Sequence, residues 1–274
     1  MKKGKNMEKG EVLRLEGVSF SYGGKMEKAV DETSLIFQEG EFVGIIGPVG
    51  SGKSTLLYCC NGLVPKEIHG KFTGSVKLMG KDLAKMGFPE ISRAVSMVFQ
   101  DPNDQIFNLT VEEEVAFGLL NQGMPREEAL TVARAAVARV GLKEKMHEDP
   151  SELSSGQKQK VAIACALAAD SKIILLDEPV SSLDWRSSQE VYAMLDALVR
   201  EGRTVITTEQ DTCLLSRHAT RIIVIDGGKV VADGGVKLLS SSLIEKLGLR
   251  PPAAAEKKKK KAQGKRKSRR IEKR

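Results

Sequence analysis

The chain has 274 residues, 41% apolar and 29% charged, with a formal net charge of +7. That length allows one large or two small domains around a sizeable core, and the balance is that of a soluble globular chain. The longest apolar run, VAIACALAA at 161–169, is under half the ~20 residues of a membrane span, and no apolar signal-peptide segment follows the basic start at 1–9.

The charge is unevenly placed. Residues 251–274 carry 12 Lys or Arg against 2 Glu, which leaves residues 1–250 at −3. The basic character therefore belongs to an appendage on a mildly acidic body. Cys59, Cys60, Cys165 and Cys213 lack CxxC spacing and sit in apolar surroundings. They read as free thiols in a reducing compartment, which points to the cytoplasm.

In chain order, 12–20 alternates like a half-buried strand, and 29–37 is a second strand beyond a Gly-Gly turn. A short apolar strand at 41–46 runs into a Gly-rich loop, and a helix is predicted over 53–60. Strands follow at 72–78 and 94–99. From 111 to 169 the pattern is mostly helical, with Glu-rich starts and apolar residues at three-to-four spacing. Beyond it come a strand at 172–176, an amphipathic helix at 187–200, and strands at 204–208 and 221–226. Short apolar strands alternating with helices predict an α/β fold with a largely parallel, helix-covered sheet. The helical stretch at about 103–165 reads as an insertion forming its own lobe. No internal repeat is visible. The expected organisation is a flexible N-terminus at 1–10, one domain over 11–250 and a disordered basic tail at 251–274.

Gly47-Pro48-Val49-Gly50-Ser51-Gly52-Lys53-Ser54-Thr55 fits G-x-x-x-x-G-K-[ST], with a strand before it and a helix after it. Glycines let the backbone wrap so that successive N–H groups face phosphate oxygens, and the helix N-terminus adds its positive end. Lys53 would reach the β- and γ-phosphates, and the Ser54 hydroxyl can ligate Mg²⁺. The chain is expected to bind a nucleoside triphosphate.

Ile173-Ile174-Leu175-Leu176-Asp177-Glu178 is a buried-strand run ending in two carboxylates. Asp177 is placed to hold Mg²⁺ through water, and Glu178 to polarise a water against the γ-phosphate. Leu153-Ser154-Ser155-Gly156-Gln157 precedes a strongly helical run; Ser154 is a good N-cap, and the helix start can receive an anion.

Taken in order, the phosphate loop, Gln100, LSSGQ, LLDEP and SSLD resemble the ABC-type ATPases over roughly residues 11–240. The resemblance implies a P-loop ATPase core with a mostly parallel sheet, an N-terminal antiparallel β subdomain and an inserted helical subdomain. It also implies a dimer that sandwiches two ATP molecules. Ser154, Ser155, Gly156 and Gln157 would act on a partner's nucleotide, and residues 181–184 would form a loop crossing the interface. Tyr22 matches the aromatic that stacks on adenine, a contact that discriminates ATP from GTP weakly. Residues 98–107 (VFQDPNDQIF) and 110–118 (TVEEEVAFG) are similar to the energy-coupling-factor ATPases of vitamin, cobalt and nickel importers. That likeness implies a transmembrane coupling protein and a substrate-capturing membrane protein as partners, on the cytoplasmic face of the membrane. The stretch after Gln100 would receive the coupling helices, and Gln100 would link it to Mg²⁺ and the attacking water.

The sequence departs from this pattern in places. Where the family carries a histidine after the Walker B unit, this chain has Gln210 in TVITTEQD. An amide can donate a hydrogen bond, but it is neutral and lacks the fixed imidazole geometry. Ser155 replaces a glycine, Val180 stands where threonine is common, and Trp185 where proline is common. Gln210 beside intact Lys53, Asp177 and Glu178 suggests one half of an asymmetric pair, binding ATP well and hydrolysing it slowly. A heterodimer with a second ABC-type ATPase is favoured, with a homodimer as the simpler rival. An ATP-dependent regulator, or a non-transport member of the family, is the alternative function. The tail has no interleaved aromatics and does not suggest specific nucleic-acid binding; contact with anionic lipid fits it better.

Overall fold

The computed structural model of the chain describes residues 10–252. The expected flexible N-terminus up to residue 9 and the basic tail from residue 253 lie outside the described residues. The chain opens with β1 (Glu11–Tyr22), β2 (Val30–Gln38) and β3 (Phe42–Ile46), followed by α1 (Lys53–Asn61) and a short α2 (Leu63–Lys66). Next come β4 (Gly70–Leu78), β5 (Lys81–Asp82), α3 (Phe88–Ala94) and β6 (Val95–Val98). The helical stretch consists of α4 (Val111–Asn121), α5 (Arg126–Arg139) and α6 (Ser155–Ala168). The chain then runs through β7 (Ile173–Asp177), α7 (Trp185–Arg200), β8 (Thr204–Thr208), α8 (Thr212–His218), β9 (Arg221–Asp226), β10 (Lys229–Gly234) and α9 (Ser242–Lys246).

Two sheets result. The antiparallel one has the order β2-β1-β4-β5, and the larger has the order β10-β9-β3-β8-β7-β6. In the larger sheet β9, β3, β8, β7 and β6 are parallel and only the edge strand β10 runs the other way. This is the mixed α/β architecture that the alternation predicts. Neither β10 nor α3 was expected from the sequence.

Period-two alternation sorts the strands' side chains between two cores. Phe42, Ile174, Leu176, Val205 and Val224 face helices α4 to α8. Val43, Ile45, Ile173, Leu175, Ile206 and Ile223 face α1 and the antiparallel sheet. Because both faces are covered, β3, β7 and β8 are buried along their whole length, which is why β3 and β7 read as apolar runs, whereas β8 buries Thr204, Thr207 and Thr208 beside Val205 and Ile206.

Local chemistry fixes the helix starts. Thr110 caps α4 by accepting the Glu113 N–H at 3.3 Å, and Glu112, Glu113 and Glu114 crowd its positive end. Asp184 caps α7 through the Ser187 N–H at 2.9 Å. Near the last described residues the Thr212 hydroxyl donates to the Arg250 carbonyl at 2.6 Å, so this segment packs back by α8.

Candidate functional site

The phosphate loop spans the gap between β3 and α1, and two of its glycines have no substitute. A Cβ on Gly47 would lie 2.1 Å from the Ile225 carbonyl oxygen, and one on Gly52 would lie 2.0 Å from that of Ala29. Gly52 also has φ +102, in the left-handed region, as it turns the chain into α1. No side chain caps this helix, which leaves its first N–H groups to face the loop's interior.

Lys53 is buried. Its Nζ donates to the carbonyls of Gly47 at 3.0 Å and Pro48 at 3.1 Å, and stands 3.9 Å from a Glu178 carboxylate oxygen. The Ser51 hydroxyl is buried without a hydrogen-bond partner. Tyr22, Ser51, Lys53, Ser54, Gln100, Glu178 and Gln210 line one cavity of about 390 Å³, and Gly227 and Gly228 complete its rim. Tyr22 is half-buried; its hydroxyl pairs with Thr55 Oγ1 at 2.8 Å, and its ring meets Phe20 edge-on at 5.0 Å. Residues separated by more than 150 positions therefore converge on one hollow.

The two carboxylates end β7. Asp177 accepts a hydrogen bond from the Thr208 hydroxyl at 2.6 Å. Glu178 has φ +44 and is almost fully buried. Its carboxylate is held by amides on two sides: Gln210 Nε2 reaches both oxygens, at 2.9 and 3.1 Å, and Gln100 Nε2 reaches Oε2 at 3.3 Å.

Sequence reasoning gave Glu209 no role, yet it is buried beside this cluster and accepts the Tyr192 hydroxyl at 2.9 Å. Burial pushes its carboxyl up to about 8, and the charges of Glu178 and Asp211 act in the same direction. The stability supplied by a protonated Glu209 is complete below the unfolded value of about 4.3 and is lost as pH rises through about 8. Glu209→Gln keeps an acceptor for Tyr192 without a charge. Its melting temperature should exceed that of the wild type at about pH 9, and the difference should vanish by about pH 4.5.

The LSSGQ segment at 153–157 lies elsewhere. Ser154 caps α6 in a capping box: its hydroxyl accepts the Gln157 N–H at 3.4 Å, and its own N–H donates to Gln157 Oε1 at 3.0 Å. Ser154 and Ser155 are exposed, Gly156 and Gln157 half-buried, and none of the four lines the cavity on the phosphate loop. Ser155 is the first residue of α6 and is not among the positive-φ residues, so a side chain there brings no backbone strain. Trp185 opens α7 at 52% exposure, with the Arg217 guanidinium 5.4 Å over its ring. Val180 is buried. All four cysteines are free; Cys59 and Cys60 are fully buried, Cys165 and Cys213 partly so.

A phosphate loop at the head of a central parallel strand, paired with carboxylates from the next strand but one, defines a P-loop nucleoside-triphosphatase of cassette architecture. The family model described as ABC transporter matches residues 30–181. A Pyrococcus abyssi protein named as an ABC transporter ATP-binding protein is 42% identical over 244 residues, covering 88% of this chain and 87% of its own length. A Pyrococcus horikoshii protein of the same description is 43% identical over 224 residues, covering 81% and 79%. Among solved structures, cbiO1 from Clostridium perfringens, part of the ABC transporter complex cbiONQ, is 27% identical with a TM-score of 0.76 and covers 92% of this chain and all of its own. The ATP-binding cassette MJ0796, solved as a dimer in a post-hydrolysis state bound to ADP and Pi, is 30% identical with a TM-score of 0.72, covering 82% of this chain and 98% of its own. The chain belongs to the ABC transporter ATP-binding family. It is an ATP-binding ATPase subunit of a transporter.

Proposed function

We propose that this chain powers an importer of the energy-coupling-factor type, and that its own nucleotide site is the slower half of an asymmetric pair. The likeness to cbiO1 supports the importer type. So does an apolar groove of about 500 Å³ between α3, α4 and α6, lined by Phe88, Met97, Phe99, Phe117 and Ala166 among others. Beside it Phe107 and Leu109 are 64% and 77% exposed, on a loop anchored by Glu114, which accepts the Phe107 and Asn108 N–H groups at 2.9 and 2.8 Å. This surface suits the helices of a transmembrane coupling protein that also holds a substrate-capturing membrane protein. The chain would then sit as a peripheral subunit on the cytoplasmic face. The domain would run over 11–250, with 103–165 as its helical subdomain and the tail touching anionic lipid.

In this reading ATP lies along the phosphate loop, with its base against Tyr22 and the Ser51 hydroxyl finding its partner on a phosphate. Lys53 exchanges the carbonyls of Gly47 and Pro48 for β- and γ-phosphate oxygens. Ser54, Gln100 and Asp177 offer hard oxygen donors of the kind Mg²⁺ takes, and the ion, when bound, would neutralise charge on the phosphates. Glu178 orients the attacking water and receives its proton. Ser154, Ser155, Gly156 and Gln157 of this chain complete the partner's site across the dimer.

The observation that carries the asymmetry is the Gln210 contact. A neutral amide that spends its N–H groups on Glu178 offers no fixed donor to the γ-phosphate. Loss of one preorganised donor slows a reaction by roughly 10²–10³, equivalent to ~2.7–4 kcal/mol. The test of pairing is sedimentation of full-length Glu178→Gln protein with Mg²⁺ and ATP. A chain built for a different partner stays monomeric; ATP-dependent dimerisation with itself would replace the heterodimer by a homodimer.

A further inference from the structure

Thr208, the last residue of β8, is fully buried and stands in parallel register beside Asp177 of β7. Its hydroxyl does two things at once. It donates to Asp177 Oδ1 at 2.6 Å and accepts the Glu178 N–H at 2.9 Å. The Glu178 N–H also reaches the Thr208 carbonyl at 3.1 Å. One side chain thus orients the carboxylate of Asp177 and holds the backbone of Glu178.

That backbone needs holding. Glu178 has φ +44, a conformation that a non-glycine residue keeps only when its surroundings over-determine it. Asp177 needs it as well, since it is 3% exposed and a buried carboxylate free to rotate offers its oxygens in no fixed direction. The hydrogen bond to Thr208 fixes Oδ1, and with it the plane of the carboxylate. A valine at 208 would have the same shape and β-branching but could neither donate nor accept.

We propose that Thr208 is a positioning residue for ATP hydrolysis, setting the Asp177 carboxylate for Mg²⁺ and the Glu178 backbone for catalysis through a single hydroxyl. The proposal rests on the reading of Asp177 as the Mg²⁺ holder. A hydroxyl that merely tied β7 to β8 would affect melting temperature alone. A positioning hydroxyl also governs how strongly the metal is felt. Changing a group that orients a metal ligand typically weakens metal affinity by 10–100-fold.

The experiment measures the Mg²⁺ half-point for binding of a fluorescent ATP analogue, MANT-ATP, to the full chain, beside its affinity in EDTA. Thr208→Val should raise the half-point about tenfold and leave the EDTA affinity unchanged, and Thr208→Ser should restore the wild-type value. Thr208→Ala stands in if the valine protein does not fold. Asp177→Asn separates the two claims. A wild-type half-point in Thr208→Val while Asp177→Asn shifts it overturns the role of Thr208. Serine that fails to rescue does the same. An unshifted Asp177→Asn removes the reading of Asp177, and the proposal with it.

Discussion

Glu178→Gln should bind ATP as the wild type does and hydrolyse none of it at a measurable rate. Glutamine has nearly the same shape, so the approach of Gln100 at 3.3 Å and Gln210 at 2.9 Å survives with adjusted amide orientations. What is lost is the ability to take a proton from the attacking water, a contribution of roughly 10²–10⁴ in rate. Removing a negative charge beside the γ-phosphate also lessens repulsion in the bound state, so affinity holds or rises. Phosphate release and MANT-ATP binding, measured on the same preparation, check both halves. Turnover within tenfold of wild type would show that Glu178 is not the base.

The second large effect concerns binding. Gly52→Ala should lower ATP affinity more than a hundredfold while the protein still folds. A Cβ there would lie 2.0 Å from a backbone oxygen, and the φ of +102 is one that alanine rarely adopts. Neither strain can be relieved by moving a flexible side chain, so the loop itself must shift. The N–H groups at the start of α1 then leave the directions in which they meet phosphate. Because the strain is confined to a loop over a cavity, the two cores have no reason to give way. Far-UV circular dichroism and a melting curve establish folding, and MANT-ATP titration reads the affinity. An alanine protein that bound ATP within twofold of wild type would contradict this account of the loop.

The candidate site was largely legible because its motifs are local. The strand–loop–helix grammar around Lys53 and the apolar run into Asp177 and Glu178 can be read from neighbours in sequence. The parallel sheet was legible for a related reason: β3, β7 and β8 are buried on both faces, so their runs are apolar or β-branched almost throughout. Thr208 was not legible, because its partnership with Asp177 depends on the register between β7 and β8. Glu209 was missed for a similar reason. Nothing beside it in the sequence announces that Tyr192, on a different element, will bury it and donate to it. Ser155, which stands where the family has a glycine, lies in the first turn of α6 outside the positive-φ residues, so the replacement brings no backbone strain. Edge elements such as β10 and α3 escaped because half-exposed patterns carry weak periodicity.

Gln210 joins the two kinds of information. The sequence identified the substitution, and the structure supplies its contact with both Glu178 oxygens. Glutamine does not titrate, whereas a histidine would bring an ordinary pKa of about 6.5 and an acid limb to the pH profile. The measurement that bears most directly on the account is steady-state ATP turnover by the full wild-type chain beside Gln210→His, at saturating Mg²⁺ and ATP. The expected result is slow turnover in the wild type and an increase of roughly 10²-fold with histidine. Fast turnover in the wild type, with no gain from histidine, would contradict it and make the glutamine a working substitute.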